Sequence, residues 1–270
     1  MQQQWADYRV FWREFRRTFH TTGAVLPSGR ALSRALTRYV REPHVAKFLR
    51  NSEAAVSERL PYVGRRILEV GPGTGAVTAH IIRDMRSHDR LTLVERNDQF
   101  VARLRDRIAN DAAFQPIAGQ IELIHAGVEE LPDDQPYDLI ISGLPLNNFP
   151  VPFVELLVAK LRRLLAGHGT LSFFEYIAVR RAKALLSRQA ERERLRGIDR
   201  LLRELLAANE IHRDRVMTNI PPAWVHHVRF TAGSTEQGAG SREQGAGSRE
   251  QGAGSKTSGS MLQAPCSPPS

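Results

Sequence analysis

One carboxylate and three glycines at alternate positions are the densest concentration of chemistry in this chain. They stand in Ile67-Leu68-Glu69-Val70-Gly71-Pro72-Gly73-Thr74-Gly75. The apolar run before the glycines reads as a strand and the following Ala76–Ile82 as a helix, so the glycines occupy a strand-to-helix turn. Lacking a Cβ, glycine lets the backbone turn sharply and lets a ligand approach the main chain. A second apolar run, Leu91-Thr92-Leu93-Val94, ends in Glu95. At the tip of the second strand of a doubly wound sheet, a carboxylate can accept both hydroxyls of a ribose. Together these features point to a site for an adenosine-bearing cofactor. A glycine-rich loop alone would say much less.

The spacing separates two kinds of cofactor. A dinucleotide site uses G-x-G-x-x-G, with the third glycine inside the helix. Here the pattern is E-x-G-x-G-x-G, which resembles the S-adenosylmethionine-dependent methyltransferases. The resemblance implies that Glu69 lies near the methionine end of the cofactor, that Gly71, Gly73 and Gly75 cradle it, and that Glu95, with Arg96 beside it, holds the ribose. Many relatives carry an acid near Gly127 for the adenine amino group. This chain has His125-Ala126-Gly127-Val128 instead, which leaves the backbone of Gly127 and Val128, or Glu129 from the next turn, to serve. Ser142, at the end of a later strand, completes the implied cofactor set.

That later strand opens into Ser142-Gly143-Leu144-Pro145-Leu146-Asn147-Asn148-Phe149-Pro150. Enzymes that methylate nucleobase amines often carry an Asn/Asp-Pro-Pro-Tyr motif here, and base-methylating rRNA enzymes a related Asn-Leu-Pro-Tyr. In this chain Gly143 replaces the amide and Leu146 the stacking aromatic. With Gly23-Ala24-Val25-Leu26-Pro27-Ser28, the segment looks like the bacterial phospholipid N-methyltransferases, a branch related to the rRNA adenine dimethylases. That family methylates phosphatidylethanolamine stepwise towards phosphatidylcholine. The resemblance spans roughly residues 8 to 230. It implies methyl transfer from S-adenosylmethionine to a lipid amine, with Leu144, Pro145 and Tyr176 positioning the acceptor and residues 23–28 closing over the cofactor.

These residues need elements to hold them. Alternating apolar strands and amphipathic helices predict an α/β chain with a Rossmann-like methyltransferase fold. Strands are expected near Arg66–Val70, Leu91–Glu95, Ile121–His125, Leu139–Ser142 and Thr170–Phe174. Helices are expected near Val77–Met85, Asp98–Ala109 and Pro152–Leu165. An antiparallel pair near Glu210–Thr218 and Trp224–Phe230, turning at Pro221-Pro222, closes the sheet. The methyltransferase domain is expected over residues 63–231, with a basic helical insertion at 176–208 that covers the site, lies on a membrane or packs by its leucines. Residues 1–62 form an N-terminal helical and lid segment. Residues 232–270 form a repeat tail of Gly, Ser and Gln, with too little apolar surface to offset the entropy of ordering.

In the N-terminal segment, Trp5, Tyr8, Phe11, Trp12, Phe15 and Phe19 recur at steps of three and four and share one helical face. Arg9, Arg13, Arg16 and Arg17 occupy much of the remainder. An aromatic face flanked by arginines marks a helix lying in a membrane interface, although the same face could cap a core. A formal net charge of +9 favours a polyanionic partner, membrane or nucleic acid, without choosing between them. The expected partner is an anionic membrane surface carrying phosphatidylethanolamine, with no nucleic acid. The rivals are an RNA adenine N-methyltransferase and an inactive membrane- or RNA-binding protein on this fold. Residues 1–4 lead into no apolar leader, no apolar run reaches 18 residues, and the one cysteine, Cys266, forms no internal disulfide. These features suggest a cytoplasmic protein, peripheral on the inner face of the cell membrane. No histidine spacing suggests a metal site, and each histidine is expected to be exposed or satisfied. Oligomeric state is not legible.

Overall fold

The computed structural model describes residues 29–42, 64–177 and 189–230. Seven strands form one sheet: β1 (Arg66–Val70), β2 (Arg90–Glu95), β3 (Ile121–His125), β4 (Tyr137–Ser142), β5 (Leu165–Tyr176), β6 (Glu210–Val216) and β7 (Ala223–Val228). Their order is β3-β2-β1-β4-β5-β7-β6. Strands β1 to β5 run parallel, and β7 pairs antiparallel with both β5 and β6. Helices α1 (Arg30–Leu36), α2 (Arg38–Arg41), α3 (Thr78–Asp84), α4 (Asp98–Asn110), α5 (Val151–Leu164) and α6 (Gln189–Asn209) complete the described elements.

The central strands β1, β2 and β4 are buried almost throughout, as expected of parallel strands covered on both faces. One core joins Leu68, Ile140, Leu171 and Phe173 to Phe153, Leu157 and Leu161 of α5 and to Ile198 and Leu202 of α6. The opposite core joins Ile67, Leu91, Leu139 and Phe174 to Leu32 and Leu36 of α1, Ile81 of α3 and Leu104 of α4. The leucine stripe of the expected insertion is therefore core packing over the described residues of α6, with Leu201, Leu205 and Leu206 partly buried beside it. Strand β5 begins earlier than the sequence suggests. Leu165 pairs with Tyr137, and the register then shifts before Leu139 meets Thr170. The aromatic N-terminal face, residues 23–28, Val179–Leu186 and residues 232–270 lie outside the described residues.

At the amino edge of the sheet a buried ion pair fastens the elements. Arg65 and Asp89 are 4% and 0% exposed. The carboxylate of Asp89 accepts from Arg65 Nη2 at 2.6 Å, from Arg65 N at 2.9 Å and from Arg86 N at 3.0 Å. Arg65 Nη1 donates on to the carbonyls of Tyr39 and Glu42 at the end of α2. Removing one partner of such a pair strands a buried charge, which costs about 3–5 kcal/mol. Asp89→Ala should lower the free energy of unfolding by that amount in urea titrations, whereas Arg83→Ala, at an exposed pair, should change it by less than about 1 kcal/mol.

Candidate active site

The glycine turn sits at the carboxyl edge of β1. Its three glycines have φ of 69°, 56° and 79°, the left-handed region that side chains disfavour. A Cβ on Gly71 would stand 2.7 Å from Leu144 Cδ2, and one on Gly75 2.8 Å from Arg107 Nη1. A Cβ on Gly73 would meet nothing within 4 Å, so the middle of the turn faces open space. Packing excludes side chains at the ends of the turn, and its centre offers bare backbone to a ligand. Arg107 of α4 clasps the turn, donating Nη1 to the carbonyls of Thr74 at 2.9 Å and Gly75 at 3.1 Å. Its guanidinium is held by Asp111 at 3.0 Å and lies 4.5 Å from the Phe114 ring centroid. The only sign of Arg107 in the sequence is an i,i+4 pair with Asp111, too common a spacing to single it out.

Glu95 closes the other side of the turn. Its Oε2 accepts from Gly73 N at 3.1 Å and its Oε1 from Asn97 N at 2.8 Å. A carboxylate offers about four acceptor sites, so bracing two amides is compatible with receiving ribose hydroxyls as well. Asn97 caps α4 in turn, accepting from Gln99 N at 2.9 Å. Open backbone at Gly73 and a carboxylate at the tip of β2 fit the nucleoside half of S-adenosylmethionine.

Glu69, expected near the methionine end of the cofactor, is a buried acid. It is 1% exposed and accepts from Thr78 Oγ1, in the first turn of α3, at 2.7 Å. Burial pushes its carboxyl up to about 8, with the neighbouring Glu95 charge adding to the effect. It braces the turn from within.

The turn after β3, the expected adenine side, is clamped by charge. Arg96 Nη2 donates to Glu129 Oε1 at 2.8 Å and Glu130 Oε1 at 2.9 Å. Gly127 N donates to Glu130 Oε1 at 3.0 Å, and Val128 is buried. Arg96 thus joins the end of β2 to the turn after β3, and Glu129 is drawn into that joint.

The loop after β4 lies directly beside the glycine turn. Gly143 N donates to Val70 O at 2.8 Å, and a Cβ on Gly143 would stand 2.6 Å from Gly71 O. Ser142 is fully buried and its Oγ accepts from Leu144 N at 3.4 Å. Leu144 and Leu146 turn into the core, while Gly143 and Pro145 stay partly exposed. Arg194 of α6 holds the loop from above, donating Nη1 to Phe149 O at 2.6 Å. Tyr176 packs with Phe174 in the core on the other face of the sheet from Leu144. Burial raises its phenol above the usual value, so at neutral pH it donates hydrogen bonds and does not take up protons.

Of the two buried histidines of β7, His227 meets the expectation of a satisfied ring and His226 departs from it at one nitrogen. His226 is 1% exposed; its Nδ1 meets Glu210 Oε1 at 2.6 Å, while its Nε2 has no hydrogen bond and lies 3.7 Å from Glu175 Oε1. His227 bridges Ser172 Oγ at 2.8 Å and Asp214 Oδ2 at 3.3 Å. Burial lowers His227 to about 4, which keeps the ring neutral at physiological pH. A Ser-His-Asp order invites comparison with a hydrolase, but Ser172 is 2% exposed and no substrate reaches it. Among the described residues no cluster of His, Cys, Asp and Glu could hold a metal ion, and no helix is long and apolar enough to cross a membrane.

Residues 67–169 match the family model described as a methyltransferase domain. The chain is 32% identical over 111 residues to the ornithine lipid N-methyltransferase of Singulisphaera acidiphila, covering 39% of this chain and 55% of that protein. It is 30% identical over 114 residues to the ubiquinone/menaquinone biosynthesis C-methyltransferase UbiE of a Marinomonas species, covering 42% and 43%. The chain thus spans about half the length of these relatives. Among solved structures it is similar to the O-methyltransferase TomG of Streptomyces achromogenes, at 16% identity over 78% of this chain and 95% of that one, with a TM-score of 0.45.

Two outcomes follow from the carboxylates. Losing a charge-assisted contact costs about 1.5–3 kcal/mol, so Glu95→Ala should weaken S-adenosylmethionine binding about tenfold or more by calorimetry. Unchanged affinity in a folded variant would remove Glu95 from the cofactor site. Glu69 supplies a stability signature. Its carboxyl titrates near 8 in the folded chain against an ordinary value of 4.5. Between those limits the folded state keeps a proton that the unfolded state has lost, so this contribution is complete below about pH 4.5 and is lost as pH rises to about 8. Glu69→Gln should therefore match the wild type near pH 5 and exceed it increasingly towards pH 8, read from urea midpoints across that range.

Proposed function

We propose that this chain, which carries a class I S-adenosylmethionine-dependent methyltransferase domain, methylates the primary amine of a membrane lipid, with phosphatidylethanolamine as acceptor and phosphatidylcholine as the end of the series. The observation that carries this reading is the loop after β4. Nucleobase enzymes place an amide and a stacking ring there; this chain places Gly143 and Leu146, and Leu146 is buried in the core. What remains beside the glycine turn is the backbone of Gly143 and the ring of Pro145, a surface suited to a small aliphatic amine. The similarity to an ornithine lipid N-methyltransferase supports a lipid acceptor and favours a second reading, in which the amine belongs to an ornithine lipid.

When bound, the cofactor supplies a sulfonium methyl as electrophile for in-line attack by an amine lone pair. The protein's part is proximity and alignment. The contact of Gly143 with Val70 and Gly71 fixes the acceptor loop against the cofactor turn. The ammonium must lose its proton before attack. The aromatic and arginine-rich segment at residues 5–19 is the proposed membrane contact, on the inner face of the cell membrane.

Labelled S-adenosylmethionine, offered with phosphatidylethanolamine vesicles, ornithine lipid vesicles or RNA, tests the assignment. Label is expected in phosphatidylethanolamine. Label in ornithine lipid alone would move the substrate to the second reading. Label in RNA alone would overturn the lipid assignment.

A further inference from the structure

The exposed large hydrophobic side chains among the described residues are Ile211, Met217 and Ile220, at 42%, 51% and 77% exposure. All three belong to one feature, the hairpin of β6 and β7. Ile211, Arg213 and Arg215 alternate along β6 and share its outer face, Met217 follows directly after the strand's end, and all four are exposed. His212, Asp214 and Val216 point the other way; Asp214 is held there by Arg38 and His227. The guanidiniums of Arg213 and Arg215 lie over the Trp224 ring at 4.8 and 5.6 Å from its centroid. The outer face of β6 thus carries two cations, no acid and an aromatic ring beneath. Beyond it the tip, Met217-Thr218-Asn219-Ile220-Pro221-Pro222, has no charge at all.

The place of this tip in the fold gives it meaning. Val216 pairs with Ala223, and Ala223 with Tyr176, the last residue of β5. Phe173, three residues earlier in β5, pairs with Ser142, the last residue of β4. The tip therefore leaves the sheet at its carboxyl edge, the edge that carries the glycine turn and the loop of Gly143 and Pro145.

We propose that the β6–β7 hairpin is a docking element for an anionic lipid surface. Met217 and Ile220 enter the interfacial region, Trp224 lies at headgroup level, and Arg213 and Arg215 bind lipid phosphates. Aromatic rings and arginines favour that level of a bilayer, and each arginine near an anionic surface adds attraction. The inference rests on the lipid-amine reading of the same sheet edge and names how that edge meets its substrate's bilayer. A second copy of the chain fits less well, because the outer strand carries arginines and a register shift between Glu210 and His212, features that discourage edge-to-edge pairing. RNA would leave the apolar tip without a role.

The test uses the full chain and sedimentation with vesicles of phosphatidylglycerol and phosphatidylcholine. Met217→Ser with Ile220→Ser removes two apolar contacts from the surface and should lower partitioning about tenfold. Arg213→Gln with Arg215→Gln should lower it several-fold at low salt and little at high salt, where screening already suppresses the attraction. Methyl transfer to a short-chain phosphatidylethanolamine, dispersed as monomers, should remain at the wild-type rate in the serine variant, which shows the fold and the active site intact. Undiminished vesicle partitioning in both variants overturns the proposal, as does a loss confined to RNA binding or to self-association. If the wild-type chain methylates neither lipid, the functional reading fails, yet the vesicle measurement still decides the role of the hairpin. Removing residues 1–19 in parallel separates the two contacts: residual binding in that truncation should vanish when Met217→Ser and Ile220→Ser are added, and its persistence would refute the hairpin's role.

Discussion

Two segments of backbone leave the middle of the sheet so close together that neither can carry a side chain where they touch. Gly143 donates to the carbonyl of Val70, and a Cβ on it would drive into the carbonyl of Gly71. Leu144 then lies over Gly71 so tightly that a Cβ there would also collide. Much of the site depends on this contact. It places the loop that would face an acceptor against the loop that would hold a cofactor, where the chain leaves β1 through left-handed backbone that only glycine takes at little cost. Glu69, buried in β1 nearby, holds its proton far above the ordinary range.

The two edges of the sheet are stabilised by different means. At the amino edge, Arg65 and Asp89 are buried, paired and hydrogen-bonded to neighbouring backbone. At the carboxyl edge the charged groups mostly hold main chain: Glu95 takes the amides of Gly73 and Asn97, Arg107 the carbonyls of Thr74 and Gly75, and Arg194 the carbonyl of Phe149. Side chains that grip backbone leave the backbone shape fixed before any ligand arrives. A preorganised loop gives up less conformational entropy on binding.

The sheet was legible because parallel strands bury both faces and so read as unbroken apolar runs, as in Ile67–Val70 and Leu91–Val94. The glycine turn and the acid at the tip of β2 were legible because each directly follows an apolar run in the local sequence. Arg107 and Arg194 were not, since each reaches a segment far away in sequence and no local pattern records that reach. Periodicity showed that Leu195, Ile198 and Leu202 share a face but not what the face meets; packing onto α5 and the sheet supplies the answer. The position of Glu69 was legible but its burial was not, because burial is a property of the assembled core. For the same reason nothing local showed what the two buried histidines would meet. Their partners, Glu210, Asp214 and Ser172, come from two other strands.

The first two described helices are tied to the β6–β7 hairpin at two points. Gly29 N donates to Asn219 Oδ1 at 3.2 Å, and Arg38 forks onto Asp214, with Nε to Oδ2 at 2.8 Å. Mechanically, this pair of ties is a strut. A pull arriving at residue 29 is delivered through these ties to β6 and to the turn beyond it, and to β5 through the core that Leu32 and Leu36 share with Phe174. Across the antiparallel ladder many inter-strand hydrogen bonds then share that load at once.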